Sequence, residues 1–129
     1  MESASIAAER PVVLVALFTA LAWLGEYVHN LFELPHLTLI SPENSIPALI
    51  SLMLFLIWWR TPNKRLATIL LLAWTLLHLI GGALLSVLPL PILPFYPEQS
   101  LQHYAAHAIY GLAQVPLIVE LGRELWQAS

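Results

Sequence analysis

Five ionisable side chains lie in, or at the edge of, the most apolar stretches of this chain: Glu26, His29, His78, His103 and His107. A charged side chain at the centre of a membrane-spanning helix costs about 2.5–3.5 kcal/mol on insertion scales, so it usually faces protein, water or a bound partner. Imidazole and carboxylate groups also bind transition metals and carry protons. We therefore expect any chemistry of this chain to reside in these five residues.

The composition indicates an integral membrane protein. Hydrophobic residues make up 59% of the 129 residues and charged residues only 10%, whereas a soluble domain carries about 25% charged residues. The formal net charge of −3 argues against nucleic-acid binding, which uses a basic patch. The sequence has no cysteine, so this chain alone provides no disulfide, cysteine-ligated zinc or iron–sulfur cluster.

The apolar segments predict an all-α integral membrane protein, a single domain built as a bundle of four transmembrane helices. The expected spans are 11–33, 46–59, 66–88 and 103–122. Two long loops, 34–45 and 89–101, lie at one end of the bundle, and a short loop, 60–65, lies at the other. The second span is shorter than the roughly 17–25 residues that cross a bilayer, so three full spans with a re-entrant second segment are the alternative. Ser45 and Ser100 are expected to cap the second and fourth helices, because serine is a preferred N-cap residue.

The basic residues all fall at one end of this arrangement. Arg10 precedes the first span, Arg60, Lys64 and Arg65 lie between the second and third, and Arg123 follows the fourth. The positive-inside rule then places both termini in the cytoplasm and the two long loops outside the inner (plasma) membrane. We call the end that carries the long loops the predicted outer end.

A weak internal repeat relates the two halves of the chain. Pro42-Glu43-Asn44-Ser45 and Pro97-Glu98-Gln99-Ser100 stand near the starts of the second and fourth spans, and Ala22-Trp23 has a counterpart in Ala73-Trp74. Both halves would run in the same direction through the membrane, as a parallel two-hairpin repeat. Chance similarity is the alternative, because proline, a carboxamide and serine are common at helix starts.

Helical periodicity gathers the polar residues into one layer. The polar residues of the fourth span share one narrow face of the helix: His103, His107, Tyr110 and Gln114. Glu26 and His29 in the first span and His78 in the third reach a similar depth. At 1.5 Å per residue, these histidines, Glu26 and Tyr110 lie roughly 18–28 Å from the inner ends of their helices. The layer is either a site or a hydrogen-bonded joint between three helices.

Two kinds of cofactor fit this layer. A mononuclear zinc, copper or iron site would use His103 and His107, which point the same way at positions i and i+4, completed by Glu26 or His29. A b-type haem would use two histidines from facing helices, namely His78 with His29 or His107. Either cofactor would be held between helices of the bundle.

A third chemistry needs no cofactor. A proton relay would use the ionisable and hydrogen-bonding groups of the layer, namely Glu26, His78, Tyr110 and Gln114. The sequence lacks the Gly-x-Ser-x-Gly, His-Glu-x-x-His and phosphate-loop motifs of common enzymes, which argues against hydrolytic catalysis. We therefore expect either a non-catalytic subunit or helper, bound to a membrane-protein partner or a second copy, or a protein that handles metal, haem or protons.

Overall fold

Four long helices make up most of the part of the chain that the structure describes. The computed structural model describes the backbone of residues 2–128 and the side chains of residues 11–128, and no strand occurs in that range. The helices are α1 (Glu2–Glu33), α2 (Pro42–Arg60), α3 (Lys64–Leu77) and α4 (Leu101–Gln127). All four are long and apolar enough to span a membrane, which confirms the predicted helical class and the predicted number of candidate spans.

The third span changes its helical geometry near the predicted outer end. After Leu77, the α-helix continues as a π-helical segment, His78–Leu84, and ends in a 3₁₀ turn, Leu85–Val87. A π-helical stretch inside a longer helix widens the turn and often coincides with a functional site. The segment begins at His78, one of the five residues that the sequence singles out.

The second helix is longer than predicted. It starts at Pro42 and has 19 residues, because proline is tolerated in the first turn, where its missing N–H has no helical partner. This length can cross a bilayer. The prediction that Ser45 caps the helix is wrong, since Ser41 precedes it. Ser100 does cap α4, because its hydroxyl accepts a hydrogen bond from the backbone N–H of His103 at 3.2 Å.

The four helices form a ring in which each packs against its neighbours in sequence and α4 closes the ring onto α1. Helix α4 is the most enclosed, with 44% of its most apolar window buried, compared with 11% for α2. The polar face of α4 therefore meets α1 and α3 inside the bundle. Helix α2 contributes most of its surface to the outside.

Small residues let α4 approach both neighbours closely, as in other membrane helix pairs. A Cβ atom added to Gly25 of α1 would collide with the Cβ of Ala113, and one added to Gly111 would lie 3.3 Å from the Cβ of Ala83. The side chain of Tyr110 packs directly on Gly82. These contacts bring the polar faces of three helices within hydrogen-bond distance.

The basic residues that the structure describes gather at one end of the bundle. Trp58 near the end of α2 donates from Nε1 to the Glu124 carboxylate of α4 at 3.2 Å and to Thr68 Oγ1 of α3 at 3.1 Å. These contacts bring the start of α3, which carries Lys64, beside the end of α4, which carries Arg123. The side chain of Arg10 lies outside the described residues, and the orientation of this end towards the cytoplasm stays a prediction.

The two segments of the predicted repeat differ in local structure. Pro42–Ser45 forms the first turn of α2, whereas Pro97–Ser100 is non-helical and precedes α4. Asn44 and Gln99, which align in the repeat, nevertheless make similar contacts. The side-chain N–H of Asn44 donates to the Thr38 carbonyl at 2.8 Å, and that of Gln99 to the Val87 carbonyl at 2.9 Å. The repeat stays a prediction.

Replacing Gly25 with alanine tests the close contact between α1 and α4. Overpacking costs about 1–3 kcal/mol, which exceeds the gain of up to about 1 kcal/mol from replacing a helical glycine. We expect Gly25→Ala to lower the thermal stability in detergent. Gly122→Ala is the matched control, since no atom of another element among the described residues lies within 4 Å of its added Cβ. Equal stability of the two variants would contradict the close contact.

Candidate functional site

Two histidines from different helices face each other in the polar layer. His29 of α1 and His107 of α4 bring their Nε2 atoms to 3.0 Å, and the ring centroids lie 4.3 Å apart in an edge-on arrangement. His107 is 6% exposed, and His29 is half-buried. The protonation of each ring follows from what its Nδ1 atom contacts.

A chain of carboxamides determines the protonation of His29. The Asn44 side chain donates from Nδ2 to the Thr38 carbonyl at 2.8 Å, so its Oδ1 atom is directed to Asn30. Asn30 must then donate from Nδ2 to that oxygen, at 2.7 Å, which turns the Asn30 Oδ1 atom towards His29 Nδ1, at 3.0 Å. Because Oδ1 only accepts hydrogen bonds, His29 Nδ1 carries the proton.

A backbone carbonyl determines the protonation of His107 in the same way. His107 Nδ1 lies 2.9 Å from the carbonyl oxygen of Ala83, which only accepts, so this Nδ1 atom also carries a proton. Ala83 belongs to the π-helical segment that follows α3. In a continuous α-helix, this carbonyl would point along the axis to the amide of residue 87. The irregular geometry instead accompanies a contact across to α4.

The two facing Nε2 atoms therefore require a cation. A neutral imidazole with a protonated Nδ1 has an unprotonated Nε2 that only accepts. Two such acceptors at 3.0 Å repel each other unless a proton or a metal ion lies between them. The pair of His29 and His107 is thus arranged to hold one positively charged species.

A carboxylate–imidazole pair lies one helical turn further towards the predicted outer end. Glu33 Oε2 contacts His103 Nδ1 at 2.7 Å, and each side chain is only 11% exposed. The His103 ring is 4.5 Å from that of His107 between centroids. Glu98, in the loop before α4, has a carboxylate oxygen within 4.8 Å of ligand atoms of both Glu33 and His103. Contacts with neighbouring helices thus place His29, His103 and Glu33 in the polar layer.

A second polar group lies deeper in the layer, between α1, α3 and α4. His78 Nδ1 is 3.5 Å from Glu26 Oε2 and is hydrogen-bonded to the hydroxyl of Tyr110. The indole of Trp74 packs edge-on against the His78 ring at 4.4 Å between centroids. Gln114 donates to the Ala22 carbonyl at 2.8 Å. The structure thus brings the predicted relay residues together, and their part in moving protons stays a prediction.

A small cavity separates this deeper group from α2. Its volume is about 10 Å³, and its lining includes Glu26, Trp74, His78 and Gln114. This space suits about one water molecule, whereas sites for larger ligands measure roughly 300–1,000 Å³. A water molecule here would be within reach of several hydrogen-bonding side chains.

The predicted haem arrangement has no support in this geometry. A haem iron between two imidazoles in line would separate the nitrogens by about 4 Å, at about 2.0–2.1 Å per bond. His29 and His107 are closer, at 3.0 Å, and the cavity beside His78 is too small for a porphyrin. His78 is bonded to Tyr110 instead of facing either of the other histidines.

The predicted metal set is brought together in part. His103 and His107 lie side by side, with His29 opposite His107. The carboxylate that accompanies them is Glu33, whereas Glu26 contacts His78. Glu33 takes the place predicted for Glu26 because the two carboxylates lie at different depths on the same face of α1. Glu26 lies one turn further from the predicted outer end than Asn30, and two turns further than Glu33.

Sequence reasoning missed five residues that shape this site: Asn30, Glu33, Asn44, Ala83 and Glu98. Asn30 and Glu33 follow Glu26 at helical spacing on the same face of α1. Asn44 is only 1% exposed, and its place in the predicted repeat was a signal that drew attention to it. Ala83 acts through its carbonyl, which no side-chain pattern reveals. Glu98 lies in a proline-rich loop whose path across the bundle depends on tertiary packing.

Comparisons with protein-family models, with curated proteins and with solved structures find no match for this chain. Its function is therefore inferred from the described side chains. Two features of the polar layer are open to such an inference. One is the facing pair of His29 and His107, and the other is the group formed by Glu33, Glu98 and His103.

Asn44→Ala tests the carboxamide chain that orients His29. The substitution leaves the Thr38 carbonyl and the Asn30 amide without their partner, and an unpaired buried polar group costs about 1–3 kcal/mol. We expect a lower unfolding temperature in detergent, measured by the fraction that remains monodisperse after heating. Ser45→Ala is the control, because its hydroxyl makes an exposed bond of 3.3 Å to Ile40. Equal losses in both variants would contradict a special role for Asn44.

Proposed function

We propose that this protein binds a divalent transition-metal ion, such as Zn²⁺, in its Glu/His layer at the predicted outer end. The observation that carries the proposal is the His29–His107 pair, whose Nε2 atoms face each other at 3.0 Å. Both Nδ1 atoms contact oxygen acceptors. Metal-binding histidines typically donate their second ring N–H to a carbonyl or carboxylate in this way, which fixes the ring and leaves the other nitrogen for the metal.

The neighbouring His103 favours a metal ion over a shared proton. Its Nδ1 atom contacts the Glu33 carboxylate at 2.7 Å, and its Nε2 atom is buried without a hydrogen-bond partner among the described residues. A shared proton would need two imidazoles only. A third imidazole beside the pair, whose Nδ1 likewise contacts an oxygen acceptor, is the kind of surrounding in which metal-binding histidines are found.

The donor atoms indicate the class of ion. Imidazole nitrogen suits zinc, copper, iron and nickel, whereas calcium and magnesium prefer oxygen ligands. Two ligands of a tetrahedral ion with bonds of about 2.05 Å lie about 3.3 Å apart. The Nε2 atoms, now at 3.0 Å, would need to separate by only a few tenths of an ångström. The His29–His107 pair is therefore close to the spacing that an ion requires.

The charge of a buried ion also has a nearby counterpart. A divalent ion held by neutral imidazoles keeps its full positive charge, which is costly in an apolar bundle unless anions lie close. Glu33 and Glu98 lie beside the histidines at the predicted outer end. Carboxylates in these positions lower the free energy of the bound ion.

A second candidate function is that of a non-catalytic subunit or helper of a larger membrane assembly. The observation that favours it is a groove of about 270 Å³ between α1 and α2, lined mostly by small and apolar side chains that include Ala16, Ala20 and Ala48. Small residues allow close packing of another membrane helix. In this function, the polar layer would serve to join the helices of the bundle.

A Zn²⁺ titration of the purified protein in detergent tests the proposed function. We expect saturable binding that EDTA reverses, and a loss of affinity in His29→Ala and His107→Ala of at least about tenfold to hundredfold, the range found even for residues behind metal ligands. His36→Ala is the matched control, because His36 is an exposed histidine in the loop at the same end. Equal affinity in all three variants would contradict the proposal and favour the helper function.

A further inference from the structure

We propose that Glu33, Glu98 and His103 form a second binding site for the same class of divalent ion, at the mouth of the His29–His107 pair. The inference rests on the proposed function for the class of ion, but on different residues for the site. Each of the three offers one ligand atom, and these atoms lie within 4.8 Å of one another. Two carboxylates and one imidazole form a donor set that zinc readily accepts.

Two unpartnered atoms support this site independently of the spacing. Glu33 Oε1 and His103 Nε2 are buried and have no hydrogen-bond partner among the described residues. An unsatisfied buried polar atom costs about 1–3 kcal/mol, and two such atoms on a pair of side chains already in contact need a physical reason. A metal ion bound to one or both atoms would supply the missing interaction.

The third ligand is Glu98, whose backbone is held in place by its neighbours in the loop. Pro97, before Glu98, is buried. Gln99, after it, donates to the Val87 carbonyl at 2.9 Å and accepts a hydrogen bond from the hydroxyl of Tyr104. The backbone on both sides of Glu98 is therefore anchored, while the Glu98 side chain itself is exposed and free to turn.

Binding an ion would draw the three ligands together. Ligand atoms around a tetrahedral ion are about 3.3 Å apart, which is shorter than the present limit of 4.8 Å. Glu33 and His103 are already in contact, so the adjustment falls mainly on the exposed side chain of Glu98. An ion from the predicted outer side would thus meet Glu98 first.

The position of this site gives it a role in delivering ions to the His29–His107 pair, which we call the inner pair. His103 and His107 are one helical turn apart on α4, and their ring centroids are separated by 4.5 Å. His103, a ligand of the outer site, thus lies directly beside His107 of the inner pair. We therefore assign Glu33, Glu98 and His103 as the outer of two successive sites.

The stoichiometry of Zn²⁺ binding, measured by calorimetry on the full chain in detergent, tests this inference. We expect two Zn²⁺ per chain in the wild type and one in Glu98→Gln, which removes a ligand without disturbing the fold. Glu43→Gln is the matched control and should retain two, because Glu43 is an exposed acid at the same end. His29→Ala should lose the inner ion and retain the outer one.

The other outcomes separate the inference from the proposed function. Two ions in Glu98→Gln, or a single ion in the wild type that both Glu98→Gln and His29→Ala remove, would overturn the second site. An unchanged stoichiometry in His29→Ala, together with a loss in Glu98→Gln, would overturn the inner pair and leave the outer site. The absence of Zn²⁺ binding to the wild type would overturn both.

Discussion

The hydrogen bond from Asn44 to the Thr38 carbonyl sets the direction of every polar contact that follows it. A backbone carbonyl cannot donate, so the Asn44 amide has one orientation, and that orientation determines the orientations of Asn30 and His29 in turn. In water, such a chain could reverse at little cost, because each group would find a solvent partner. Inside an apolar bundle, a reversed member would leave acceptors facing each other, and the cost would be high. The loop between α1 and α2 thereby controls the chemistry of a histidine in α1.

The packing of α4 brings His107 against the end of this series of hydrogen bonds, which is His29. Gly25 and Ala113 allow α1 and α4 to approach closely, and Gly111 does the same for the contact with the π-helical segment at Ala83. His107 lies one turn from Gly111, so it reaches both His29 and the Ala83 carbonyl. Larger residues at these positions would separate the helices and break both contacts. Small residues in the helix contacts and imidazoles in the site are therefore parts of one arrangement.

The sequence alone predicted the helices of this fold more accurately than the contacts between them. Four spans and a shared polar layer followed from apolar segments and helical periodicity, because these depend on local sequence. The start of α2 was misplaced, because Pro42 was taken to precede the helix when it forms its first turn. The pairing of His103 with Glu33, and of His78 with Glu26, depended on the relative heights of three helices. An error of two turns exchanges one carboxylate for the other, and periodicity within a single helix cannot correct it.

The apolar half of the bundle limits what the polar layer can do. Val15, Leu71, Leu117 and Leu121 are all but inaccessible and fill the space beneath Gln114. An ion that moved inward past Gln114 would lose its ligands and enter this apolar core, which raises the free energy of a bare charge steeply. The route through Glu33 and Glu98 keeps oxygen and nitrogen donors beside the ion throughout. An ion bound in the proposed site would thus enter and leave by the same end, which favours binding and release on one side of the membrane over conduction across it.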